Sequence, residues 1–269
     1  MVEGPGATRN SRKVQPAVGY AVESVEQHHL KEKLYNRFLK EVISVGKEVF
    51  LVFALINEEK SGDLQQSEVA LRLHFGMNGC LYLHKGGARS SVPSWRRNTI
   101  SSLKIHLVSQ NDPTSRFCLE TKDSTSNFLS SYIARAKVAR LARRDVCGND
   151  FDPLAVKQAI LEKRANALIS DAVLDQERFP GVGNIIKIEG LHKARVHPKR
   201  IVSTLTSEEL DAIISNCREY AMGWLTSGRT PAKAVYNQTV CGTCSTQSVR
   251  IVKMGNDLSR TTFCCESCQ

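Results

Sequence analysis

The stretch LDQERFPGVGNIIKIEGLHKARVHP, residues 174–198, decides how this chain is read. Pro180-Gly181-Val182-Gly183 cannot continue a helix, because proline lacks an N–H and glycine loses most conformational freedom there. Asn184 then has the side chain to cap a new helix running IIKIEGLHKAR. Two glycines ahead of a helix N-terminus leave room for an anion against the unpaired N–H groups, so a phosphate fits there. A plain corner between two helices fits the same residues.

Helical patterns lie on both sides of this turn. Asp152 before Pro153 is an N-cap and first-turn pair opening DPLAVKQAILEKRANALISDAVL, with Leu154, Ile160, Leu161, Leu168 and Ile169 near helical spacing. Thr206 and Glu209 have capping-box spacing and open a helix whose Leu210, Ile213, Ile214, Cys217, Tyr220, Ala221 and Trp224 form one apolar stripe. The N-terminal half has another period. EVFLVFALI (48–56), VALRLHF (69–75), CLYLH (80–84), SSLKIHLVSQ (101–110) and SRFCLETKD (115–123) predict strands, with GMNG (76–79) a hairpin turn between two of them. Ahead of them, residues 2–9 predict a turn, and SVEQHHLKEKLYNRFLKEV (24–42) predicts one amphipathic helix through Leu30, Leu34, Phe38, Leu39 and Val42. The basic stretch ARAKVARLARRDVCGND (134–150) reads as a linker between the halves.

Lys plus Arg exceeds Asp plus Glu by 37 to 27 among 269 residues, so a polyanionic partner such as nucleic acid is expected, a merely soluble basic protein being the bland alternative. No apolar run is long enough to span a membrane, and no signal or transit segment opens the chain. Nine cysteines without a secretory signal point to a reducing compartment and to metal. Cys241 and Cys244 form one C-x-x-C knuckle and Cys265 and Cys268 another, with twenty residues between them. That spacing predicts one structural zinc ion held by four thiolates, with Cys264 as the competing ligand. His28, His29, His192 and His197 share no such spacing with a cysteine or carboxylate and are read as surface or packing residues.

Three separated signatures resemble the formamidopyrimidine-DNA glycosylase and endonuclease VIII (Fpg/Nei) superfamily. The opening VEGPG resembles its P-E-G-P start, residues 174–198 its helix-two-turn-helix (H2TH), and RTTFCCESCQ the end of its zinc finger. Within the family the nearest resemblance is to the vertebrate Nei-like member that starts with valine. The resemblance implies an α+β multidomain fold: an N-terminal two-layered β-sandwich with a flanking helix (1–140), a linker (141–151), a helical H2TH domain (152–232) and a four-cysteine zinc-ribbon finger (233–269). It implies a base-excision DNA glycosylase with weaker β-elimination lyase activity, a monomer working on oxidised bases or abasic sites in nuclear DNA.

By residue, the resemblance makes Val2, exposed by removal of Met1, the nucleophilic amine, Glu3 its proton partner, and Lys47 the lysine beside the scissile phosphate and sugar. Asn184, Arg260 and Tyr236 match phosphate contacts, Met77 matches a side chain that fills the gap left by an extruded base, and Cys264 falls outside the zinc set. Two departures carry consequences. Valine's primary amine gives an imine whose charge depends on pH, so base removal should outpace strand cleavage. In NDPTSRFC (111–118) Ser115 stands where the family has a void-filling Arg, with Phe117 only approximately aligned, which implies a preference for single-stranded or open DNA. A non-catalytic nucleic-acid binder would keep the H2TH and the finger but needs neither Val2, Glu3 nor Lys47, and a zinc-stabilised protein-interaction module leaves the basic excess unexplained.

Overall fold

The computed structural model describes residues 2–56, 67–86, 100–254 and 260–269. Its contacts divide into two units, one of residues 1–2 with Gly6–Arg140 and one of Glu3–Pro5 with Leu141–Gln269.

Among the described residues the first unit is built on six antiparallel strands. They are β1 (Ala21–Val25), β2 (Arg37–Val45), β3 (Glu48–Leu55), β4 (Glu68–Lys85), β5 (Ser101–Val108) and β6 (Arg116–Ser130). The order β1-β2-β3-β4-β6-β5 closes because β1 pairs with both β2 and β5, so the two expected layers are sides of one hydrogen-bonded barrel without a free edge. Alternate residues point inward: Leu71, Leu73 and Phe75 on β4, and Leu103, Ile105 and Leu107 on β5, pack with Leu51 and Phe53 of β3.

Three expectations fail here. Residues 24–42 are not one helix: only α2 (His28–Leu34) is helical, and Phe38, Leu39 and Val42 lie in β2. A bulge between Leu39 and Glu41 breaks the two-residue period, so Leu39 and Val42 both face the core at a spacing that imitates a helix. Residues 2–9 are not a turn; Gly4 begins α1 (Gly4–Val14), with Pro5 in its first turn. Its buried face is Ala7, Asn10, Ser11 and Val14, too polar to announce itself by hydrophobicity. GMNG is not a hairpin turn either. β4 runs through it, and Phe75 pairs with Ser124 while Cys80 pairs with Lys122, leaving residues 76–79 as a bulge opposite Asp123.

Helix α3 (Ser131–Leu141) belongs to the first unit up to its last residue, where the second unit resumes, so much of the stretch 134–150 read as a linker is helical. There follow α4 (Pro153–Arg164), α5 (Ile169–Ala172), α6 (Asn184–Lys193), α7 (Ser207–Ser227) and the hairpin β7 (Val249–Met254) with β8 (Arg260–Cys265). Asp152 caps α4 by accepting from Leu154 N at 2.9 Å, but that helix stops at Arg164 instead of running on to Leu174. Ile169, Phe179, Ile186, Leu191, Leu210, Ile213 and Ile214 form the helical core, and Ile188, Val235, Phe263 and Cys265 a smaller one under the hairpin.

The capping box of α7 is complete: Glu209 N donates to Thr206 Oγ1 at 3.2 Å and Thr206 N to Glu209 Oε2 at 2.8 Å. Thr206→Ala should therefore destabilise the second unit by about 1 kcal/mol, read as a lower midpoint in chemical unfolding.

Candidate active site and metal centre

Helix α6 is where the second unit's chemistry gathers. Gly181 takes a left-handed turn (φ +89°) that brings Gly183 to the N-cap position of α6. Asn184, expected to cap the helix, is instead its first residue. The cap comes from the far end of the sequence. Glu3, fully buried, accepts from Ile185 N at 2.8 Å through Oε1 and from Ile186 N at 3.2 Å through Oε2, while Gly4 N donates to Gly181 O at 2.8 Å. The anion that the glycine turn accommodates is thus this carboxylate, which replaces the phosphate expected at that spot. Gly183 is required by contact: a Cβ there would lie 2.3 Å from Glu3 Cδ.

Further along α6, polar side chains secure the pieces that carry other expected residues. Asn184 Nδ2 donates to Thr261 O at 2.8 Å, and no partner for its buried Oδ1 is found among the described residues. Lys187, 1 % exposed, donates to Thr262 Oγ1 at 2.9 Å, and that hydroxyl donates at 3.4 Å to the carbonyl of Arg260, the first residue of β8. Burial pushes the Lys187 ammonium down to about 8. Glu189 accepts from Ala234 N at 2.8 Å, Val235 N at 3.2 Å and Tyr236 N at 2.8 Å, so the loop bearing Tyr236 is pinned to the same helix. The Tyr236 ring rests on Phe263, centroids 5.3 Å apart. Lys187 and Glu189 escaped the sequence reading; their only signal was charge set among Ile185, Ile186, Ile188 and Leu191.

In the first unit Val2 N donates to Gly76 O at 3.2 Å, and a Cβ on Gly6 would press within 2.9 Å of Val2 Cγ1. Met1 lies outside the described residues. Gly76 opens the β4 bulge, whose next residue, Met77, is 66 % exposed. Lys47 is half-buried in the tight turn between β2 and β3, where Gly46 has φ 60°. Ser115 is bonded to Tyr20 through hydroxyls 2.9 Å apart, and the Phe117 ring packs 4.9 Å from that of Tyr20, so both are engaged with the barrel.

The four cysteines of the two knuckles lie together: Cys241 Sγ is 3.8 Å from Cys268 Sγ and Cys244 Sγ 3.6 Å from Cys265 Sγ. A tetrahedral ion with metal–sulfur bonds of about 2.3 Å sets its sulfurs about 3.8 Å apart, so both of these cross-knuckle separations match one metal ion. Cys264 is elsewhere, 3.9 Å from His197 Nε2. His192, read from sequence as a surface or packing residue, is buried with Nε2 3.3 Å from Cys241 Sγ, and its ligand atom falls with those of Cys241, Cys265 and Cys268 within 4.8 Å.

Two outcomes follow from α6. Gly183→Ala drives a methyl into Glu3 and should lower the unfolding midpoint by several degrees, since at the N-cap alanine brings no gain in helix propensity to offset the clash. Lys187 is depressed in the folded state, so between pH 8 and its ordinary 10.5 the unfolded chain binds more protons and stability rises with pH. Unfolding midpoints measured across that window should climb in the native chain and flatten in Lys187→Met.

Residues 144–222 match the family model described as the formamidopyrimidine-DNA glycosylase H2TH domain. Endonuclease 8-like 3 of Homo sapiens is 26% identical over the whole chain and 46% of its own length, so the chain spans less than half of that curated relative. A crystal structure of a viral DNA glycosylase superposes with a TM-score of 0.79 at 21% identity, covering 100% of both chains. Lactococcus lactis formamidopyrimidine-DNA glycosylase, solved with DNA containing an abasic site, superposes at 0.74 with 19% identity over 99% of both. The family model thus places an H2TH domain at residues 144–222, and the fold of the whole chain is the one seen in solved DNA glycosylases.

Proposed function

We propose that the protein is a base-excision DNA glycosylase that forms an imine through its N-terminal amine. The observation that carries this is Glu3: a buried carboxylate one peptide bond from the terminus, held on the N-terminus of α6. An ordinary solvated terminus has no use for such a clamp. A terminal amine ionises near pH 8, about two units below a lysine, so a useful fraction is neutral and nucleophilic at pH 7.

In this reading Met1 is removed and the Val2 amine attacks C1′ of a damaged nucleotide. The bond from C1′ to the base breaks, and the base leaves with the electron pair and takes up one proton from the amine; the C1′–O4′ bond then breaks, O4′ takes up the second nitrogen proton, and the C1′–N double bond of the imine forms. Glu3 is the proton partner for these transfers. Loss of the C2′ proton then expels the 3′ phosphate by β-elimination. Because valine's imine is neutral over part of the pH range, this second step is the slower one. Lys47, Asn184, Tyr236 and Arg260 grip backbone phosphates and sugar, and Met77, exposed on its bulge, fills the gap after the base leaves the stack. The bonding of Ser115 and the packing of Phe117 support the view that the other void-filling positions are vacant, and so a preference for single-stranded or open DNA. The substrate class is oxidised bases such as ring-opened purines, hydantoins and oxidised pyrimidines.

The four thiolates hold a structural zinc, which closes the finger and leaves no coordination position for substrate. Residues 1–140 act as the catalytic domain, 141–151 as linker, 152–232 as the H2TH domain and 233–269 as the finger, in a nuclear monomer.

Borohydride trapping on an oligonucleotide with an abasic site tests the reading. Protein whose mass shows a free Val2 should give a covalent adduct, and a Met1-retaining form should give none. No adduct from free Val2 would falsify the proposal and leave a nucleic-acid binder. In paired trapping reactions the single-stranded oligonucleotide should be captured faster than its duplex; equal or faster capture of the duplex removes the strand preference.

A further inference from the structure

We propose that His192 of α6 is an outer partner of the metal centre, donating its Nε2–H to the Cys241 thiolate while the four cysteines hold the ion. This rests on the zinc reading above.

Four observations lead here. The imidazole is 4 % exposed, and Cys241 Sγ, 3.3 Å away, is its hydrogen-bond partner among the described residues. Two cross-knuckle thiol pairs have the separation a tetrahedral ion requires and Cys268 is bonded to all three other knuckle thiols, so four sulfurs can fill the positions and leave the imidazole as a fifth donor. Four thiolates around a divalent ion carry a net charge of about minus two, and buried charge of that kind is stabilised by N–H and O–H groups aimed at the sulfurs. The finger supplies some of these itself: Thr243 N lies 3.4 Å from Cys241 Sγ, Thr246 Oγ1 3.0 Å from Cys244 Sγ, and Ser248 Oγ 2.9 Å from Cys265 Sγ.

His192 differs from those donors in origin. It sits eight residues after Asn184 on the same helix, so the ring that steadies Cys241 belongs to the element that carries Glu3's binding site and reaches β8 through Lys187. Metal retention thereby becomes sensitive to a side chain from outside the cysteine motif. Replacing an outer-shell partner of a metal ligand typically weakens retention about ten- to a hundred-fold.

The test uses the full chain loaded with zinc and, in parallel, with cobalt(II), as native protein, His192→Phe and His192→Gln. Circular dichroism and one-ion stoichiometry of the loaded variants establish that each folds. Transfer of zinc to a chromogenic chelator should be at least about ten-fold faster from His192→Phe, which keeps the ring but not the donor. His192→Gln, which retains an N–H, should recover most of the native rate. The cobalt spectrum should be that of a four-thiolate site in both native protein and His192→Phe. Equal release rates for native protein and His192→Phe overturn the proposal. So does a native cobalt spectrum of three sulfurs and one nitrogen that changes in His192→Phe, because the imidazole would then be a ligand. A native chain that takes up no metal instead overturns the zinc reading itself, while abasic-site trapping is measured apart from either.

Discussion

The carboxylate of Glu3 on the N-terminus of α6 is the interaction on which the second unit's arrangement turns. Two backbone N–H groups that the helix cannot satisfy itself meet two oxygens that could not otherwise be buried. Each group removes the other's cost. The fit also fixes chemistry at nearby positions: Gly183 must lack a Cβ, Gly181 must turn left-handed, and Asn184 is released from capping to face β8. Glu3 is thereby fully buried with both carboxylate oxygens hydrogen-bonded.

From that cap onward α6 works as an organiser with a different task at each polar position. Asn184 and Lys187 reach the first residues of β8, Glu189 gathers three successive N–H groups of the loop carrying Tyr236, and His192 meets Cys241. Its apolar residues divide likewise, with Ile186 and Leu191 in the helical core and Ile188 in the smaller core of the finger. Buried polar groups are costly unless satisfied, so so many on one short helix make its position strongly specified. Gly190 permits this closeness on the opposite side, where a Cβ would come within 2.4 Å of Cys217 Sγ.

Where the sequence misled, the cause was a local pattern with two physical origins. Leu39 and Val42 keep a helical spacing because a strand bulge shifts the inward parity, and a periodicity count has no means of separating the two. GMNG carries the residues of a tight turn, yet glycines serve a bulge equally well; Gly79 is needed because Asp123 O would lie 2.6 Å from its Cβ. The glycine turn at 181–183 was legible as an anion site, and an anion is there, but nothing local says that it belongs to residue 3. His192 was passed over because its partner is 49 positions away, outside any motif spacing.

The sequence by itself determined the elements whose signals are short-range: the strand period of residues 48–56 and 101–110, the caps at Asp152 and Thr206, and the two cysteine knuckles. Caps and knuckles are satisfied within a few residues, so the chain carries their full description. Tertiary structure alone decided which strands close the barrel, which carboxylate occupies the helix N-terminus, and which imidazole stands beside the thiols. Those outcomes depend on groups brought together over long separations, where the free energy comes from mutual burial and satisfied hydrogen bonds instead of local preference.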